Sequence, residues 1–126
     1  MRGYQSLIIW QKARVLVQEI YMITADLPRD EMYGLKSQLQ RAAISIPSNI
    51  AEGYGRQYRP EYIRFLNLAR GSCYEAETQM ILCMELGLLN EKQTWNAMKL
   101  LDEIGKIGSA MIKSLQRLND QPLDKP

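Results

Sequence analysis

The sequence predicts an all-α protein, an antiparallel up-down-up-down four-helix bundle that self-associates. Three observations lead there. Apolar residues recur in steps of three and four through four long segments. The breaks between those segments are short and carry proline, glycine and asparagine, which favours antiparallel neighbours. The second segment has two apolar stripes, one more than a helix needs to face its own core. The β-branched residues lie along helical stripes and nothing alternates with period two, so no strands are expected.

The first helix is expected over about Ser6 to Asp26, with Leu7, Trp10, Ala13, Val17, Ile20, Thr24 and Leu27 as its stripe and Pro28 as its stop. The second runs from about Tyr33 to Gly53. A loop, Tyr54 to Arg59, follows it. Pro60 suits the first turn of the third helix, which extends to about Leu86 and is ended by Gly87. Its stripe is Tyr62, Phe65, Ala69, Cys73, Ala76, Met80 and Cys83. Asn90, with Gln93 three residues later, reads as a capping box for the fourth helix, which reaches about Leu118. That helix presents Trp95, Met98, Leu101, Gly105, Gly108, Ile112 and Leu115. Residues 1–118 thus form one bundle domain, and 119–126, polar with two prolines, reads as a disordered tail.

Composition limits the chemistry. The chain has 126 residues, enough for one core, and 46% are hydrophobic against 24% charged. A formal net charge of +2 does not by itself imply a nucleic-acid partner. There is no histidine, which removes the commonest general base and the commonest metal ligand. Cys73 and Cys83 lie about 15 Å apart along one helix, too far for a disulfide within it. They read as buried free thiols of a cytoplasmic protein. Neither a secretory signal nor an apolar run of membrane-spanning length is visible. Gly105 and Gly108, on an apolar stripe inside a helix, read as points of close helix approach, with a hinge as the lesser alternative. Gly71 invites the same interpretation.

On the second helix, Leu35, Leu39, Ala42, Ile46, Ile50 and Gly53 form one apolar stripe, and Ile44, Pro47 and Ala51 form another. Between them runs a polar stripe: Arg41, Ser45, Ser48, Asn49, Glu52 and Arg56. It is expected to meet Ser72, Glu75 and Gln79 of the third helix. The favoured reading is a hydrogen-bonded network at a subunit interface, with Arg41 or Arg56 neutralising Glu52. Loss of Glu52 from a buried pair would then cost about 3–5 kcal/mol. An acid/base pair of Glu52 and Glu75, or a carboxylate metal site, is disfavoured, because such bundle sites use Glu-x-x-His. No cofactor is called for. Pro47 removes a donor from the helix interior, so nearby Ser or Asn side chains are expected to respond.

Arg56, Arg59, Arg64 and Arg70 cluster near the second loop, interleaved with Tyr54, Tyr58 and Tyr62. Arginine with tyrosine can hold phosphate and stack on bases, and the same pair is favoured in protein interfaces. A solvated face or protein contact is the preferred reading of the cluster. Arg56, Arg59, Arg64, Tyr54 and Tyr58 remain the candidate nucleic-acid contacts.

Several runs together resemble a known family. These are Trp10-Gln11-Lys12-Ala13, Tyr33-Gly34-Leu35, and Gln40-Arg41-Ala42-Ala43-Ile44-Ser45-Ile46-Pro47-Ser48-Asn49-Ile50-Ala51-Glu52-Gly53. Arg56, Phe65-Leu66, Ala69-Arg70-Gly71-Ser72 and Glu75 continue the pattern. The chain resembles the small four-helix-bundle proteins encoded within intervening sequences of bacterial 23S ribosomal RNA genes. It is also similar to the accessory proteins of diversity-generating retroelements, pentameric barrels that engage a reverse transcriptase and nucleic acid. The resemblance implies assembly as a ring, a homopentamer, and carries over no catalytic residue. The expected protein is a cytoplasmic, non-enzymatic scaffold for RNA or a ribonucleoprotein partner. The alternatives are a protein-only interaction module and, less favoured, an enzyme using Glu52 and Glu75.

Overall fold

The computed structural model describes residues 3–31 and 34–119, including the backbone but not the side chain of Asn119. Four helices account for most of them: α1 Ile8–Thr24, α2 Leu35–Arg56, α3 Arg59–Glu85 and α4 Glu91–Asn119. Each packs against two neighbours in the cycle α1–α2–α3–α4–α1, and among the described residues no diagonal pair approaches as closely. This is the antiparallel four-helix bundle. Tyr33, the expected start of the second helix, and the tail beyond Asn119 lie outside the described residues.

Local chemistry sets most of the boundaries. α3 ends in a Schellman motif. Gly87 takes φ +76°, its N–H bonds the Met84 carbonyl at 3.1 Å, and Leu88 N–H bonds the Cys83 carbonyl at 2.8 Å. α4 begins with the expected capping box, Gln93 N–H to Asn90 Oδ1 at 2.8 Å and Asn90 N–H to Gln93 Oε1 at 2.9 Å. The expected loop from Tyr54 to Arg59 is largely helix. Only Gln57 and Tyr58 separate α2 from α3, and Gln57 makes the turn at φ 52°. Gly53 and Gly55 sit within α2 rather than ending it.

The core lies between all four helices and is built from Ile9, Leu16 and Ile20 of α1, Leu39, Ile46 and Ile50 of α2, Leu66 and Met80 of α3, and Leu101, Ile104 and Ile112 of α4. Leu27, Cys83 and Leu89 close one end. Both cysteines are buried. Burial, with a smaller push from Glu77, raises the Cys73 thiol to about 11. The expected stripe of α4 holds at Leu101, Gly108 and Ile112, which are buried, and at Met98 and Leu115, which pack against the core. It fails at its start, where Thr94 and Ala97 are buried and Trp95 is 65% exposed.

The glycines also divide differently from expectation. A Cβ built on Gly108 would touch Ile9 Cδ1 at 3.5 Å, an ordinary contact across the α1–α4 seam. At Gly71 and Gly105 it would meet nothing within 4 Å, so close approach inside the chain does not explain them.

Candidate functional site

α2 and α3 make the most extensive seam of the bundle, and small residues allow it. Ser45 Oγ lies 2.7 Å from Ser72 Oγ, and Gln79 Nε2 donates to Gln38 Oε1 at 3.4 Å. These pairs fix an antiparallel register in which Ser45 faces Ser72 and Gln38 faces Gln79. Gln38, Arg41, Ala42, Ser45, Ser72, Glu75 and Gln79 line a groove of about 460 Å³. The expected convergence of Arg41 and Ser45 with Ser72, Glu75 and Gln79 is therefore found.

Within the groove, polar atoms are bonded in series. Asn49 Nδ2 donates to both the Ser45 carbonyl at 2.8 Å and Ser45 Oγ at 2.9 Å, and Ser45 Oγ meets Ser72, which is 6% exposed. Ser48 Oγ donates instead to the Ile44 carbonyl at 2.8 Å and stays exposed. Both i−4 bonds flank Pro47, as expected of side chains beside a proline inside a helix. Gln79 Oε1 is buried without a hydrogen-bond partner. An unmet buried acceptor costs about 1–3 kcal/mol.

Glu52 and Arg56 leave the groove. They pair with each other at 3.0 Å with side chains 52% and 47% exposed, so the buried ion pair expected for Glu52 is absent within the chain. Arg41 is exposed and forms no ion pair among the described residues. The register also separates Glu52 from Glu75. Glu75 lies opposite residues near Ala42, about 15 Å along α2 from Glu52. No acid/base pair forms from these two carboxylates.

At the α2–α3 turn the arginines are already engaged. Arg56 lies 3.8 Å from Glu61, and Arg64 Nε donates to Glu61 at 2.8 Å. Both guanidinium groups stack on Phe65, at 5.1 Å and 4.4 Å from its ring centre. The Arg64 hydrogen bond, with the charges of Arg64 and Arg56 behind it, holds the Glu61 carboxyl below the usual range. Tyr54 packs edge-on to Tyr62 at 6.1 Å. Burial, and secondarily Tyr54, pushes the Tyr62 hydroxyl up. Tyr58 is 61% exposed, and Arg59 forms no ion pair among the described residues. Of the five candidate nucleic-acid contacts, Arg59 and Tyr58 are thus the two left without an internal partner of this kind.

The 23S rRNA-intervening sequence protein family matches residues 5–110, most of the chain. The chain belongs to that family. A solved crystal structure with a similar fold is a protein with unknown function from the S23 ribosomal protein family of Bacteroides thetaiotaomicron. It superposes with a TM-score of 0.76 at 23% identity, covering 84% of this chain and 99% of that one, a likeness of fold. Among curated proteins no relative of the chain is found. No described helix of this family member is both long and apolar enough to cross a membrane.

Sequence reasoning missed a second groove, of about 450 Å³, between α3 and α4. Arg70, Tyr74, Gly105, Lys106 and Lys113 are among its lining, with Glu77 and Asp102. The signal was present as lysines at positions 92, 99, 106 and 113, a seven-residue interval that keeps them on one helical face. A search for apolar periodicity passes over it.

Proposed function

We propose that this family member is a non-enzymatic, cytoplasmic scaffold that assembles as a ring and holds RNA or a ribonucleoprotein partner. The observation that carries the assembly is the outer face of α2. Ile44 is 43% exposed, with Pro47 and Ala51 half-buried, beside a polar groove whose Gln79 acceptor is unmet. A neighbouring subunit placed there would cover the apolar stripe. Five subunits is the number implied by the resemblance to retroelement accessory proteins. The family's link to 23S rRNA intervening sequences supports RNA as the partner. Sedimentation at micromolar concentration should give a stable oligomer. A compact monomer of 14.6 kDa would sink the reading.

A protein-only module is the second reading, favoured by one observation: Glu52 and Glu61 neutralise Arg56 and Arg64. Salt-dependent retention of RNA by the purified oligomer separates the two.

A further inference from the structure

α4 carries a row of exposed cations, of which only Lys106 is held in an ion pair among the described residues. Lys92, Lys99, Lys106 and Lys113 succeed one another at seven-residue intervals, and Arg117 continues the row. Seven residues are nearly two turns, so the five share one arc of the helix. All five are exposed. Compensating acids stand toward the N-terminal half. Asp102 pairs with Lys106 at 3.0 Å, and Glu103 is held by Lys12 with Lys99 nearby. From Ile104 to Asn119 the helix has three cations and no acid.

The α3–α4 groove opens beside this half, with Asp102 and Glu77 in its lining against the three cations Arg70, Lys106 and Lys113. Arg70 reaches it from α3, opposite Lys106 and Lys113, and Tyr74 stands 59% exposed in its wall. Gly105 leaves part of its floor without a side chain, and a Cβ there would meet open space. Glycine at such a point lets a ligand approach the backbone. Its helical cost of about 1 kcal/mol is not returned by packing within the chain.

We infer that this groove and the lysine row bind the sugar-phosphate backbone of single-stranded RNA, with Arg70, Lys106 and Lys113 on phosphates and Tyr74 beneath a base. The row spans about 37 Å at 1.5 Å per residue, so a matching ligand must repeat its charge over that distance. A phosphodiester chain does so by construction. A basic track with an aromatic beside it is the usual equipment for holding single strands without reading sequence. The assignment rests on the scaffold reading and adds where the strand lies, moving it from the Arg56 corner to α4.

The test is fluorescence anisotropy of the full oligomer with oligo-U, an RNA hairpin of equal charge, and labelled polyglutamate, over a series of salt concentrations. Oligo-U should bind most tightly. Lys106→Glu with Lys113→Glu should weaken it at least tenfold and lower the salt slope by about 1.4, at about 0.7 for each lost phosphate contact. Tyr74→Ala should weaken oligo-U binding while leaving the slope unchanged. Arg59→Glu should change little. Circular dichroism and sedimentation confirm that each variant remains folded and assembled. If the wild type binds oligo-U and the α4 variant binds it equally well, the placement is wrong and the RNA-scaffold reading survives. An intact oligomer that binds no RNA at low salt, or only polyglutamate, overturns both.

Discussion

Gly53 and Gly105 are both helical glycines facing a neighbouring helix, and they meet opposite surroundings. A Cβ on Gly53 would sit 2.7 Å from Phe65 Cβ and 3.4 Å from the Tyr62 carbonyl oxygen, whereas a Cβ on Gly105 would meet nothing within 4 Å. The first glycine is required by the α2–α3 seam, where backbones close over small side chains. The second lines the α3–α4 groove, which stays open. One seam is finished within the subunit, and the other leaves a glycine whose helical cost has no internal return.

Breaking the closed seam should have the largest effect. Gly53→Ala must move Phe65 Cβ or the α3 backbone, and overpacking of this kind costs about 1–3 kcal/mol, occasionally more. The better helix propensity of alanine offsets about 1 kcal/mol of that. A net loss of up to about 2 kcal/mol is expected in urea unfolding. An unchanged midpoint would mean that α2 and α3 slide apart easily, contrary to a closed seam.

The hydroxyl bridge comes next. Ser45→Ala removes the acceptor of Asn49 Nδ2 and the partner of buried Ser72, for an expected loss of about 1–2 kcal/mol. Ser72→Ala added to it should cost little more, because the hydroxyl left stranded is then gone. Fully additive losses in that double-mutant cycle would show that the two hydroxyls do not act together.

These two seams differed in legibility. The four helices, the capping box at Asn90 and Gln93 and the Gly87 cap were readable, because each depends on residues within one or two turns of each other. The meeting of Ser45 with Ser72 was readable too, since both lie on polar stripes with a shared helical period. What remained hidden depends on the partner across a seam. Gly53 reads as a helix end until Phe65 is seen against it. Arg64 reads as a free cation, and Arg56 as a partner of Glu52 alone, until Glu61 and the Phe65 ring are placed between them. Trp95 reads as core by its place at the head of the α4 stripe and is exposed, because Thr94 and Ala97 take the inward positions of that turn.

Filling the open seam should act in the opposite direction from filling the closed one. Gly105→Ala replaces a helix-interior glycine where space is free, so the fold should gain about 0.5–1 kcal/mol. RNA retention should fall slightly as the groove floor rises. A destabilised fold would show that α3 and α4 close further than the groove suggests. A dissociated oligomer would show that a neighbouring subunit, rather than a nucleic-acid strand, uses this opening.

The smallest effect is expected at Glu52, and it decides what the closed seam's outer edge faces. Within the chain, Glu52 and Arg56 form an exposed i,i+4 pair, and such pairs contribute about 0.3–0.5 kcal/mol. Glu52→Ala also leaves Arg56 near Glu61 and over the Phe65 ring, so its charge is not stranded. Stability should therefore fall by no more than about 0.5 kcal/mol, and high salt should erase even that. The cost of about 3–5 kcal/mol belongs to a pair removed from water on every side. A loss of that size, growing with protein concentration, would place Glu52 under a neighbouring subunit. The contact between subunits would then extend from the Ile44 stripe across the polar stripe to the turn between α2 and α3.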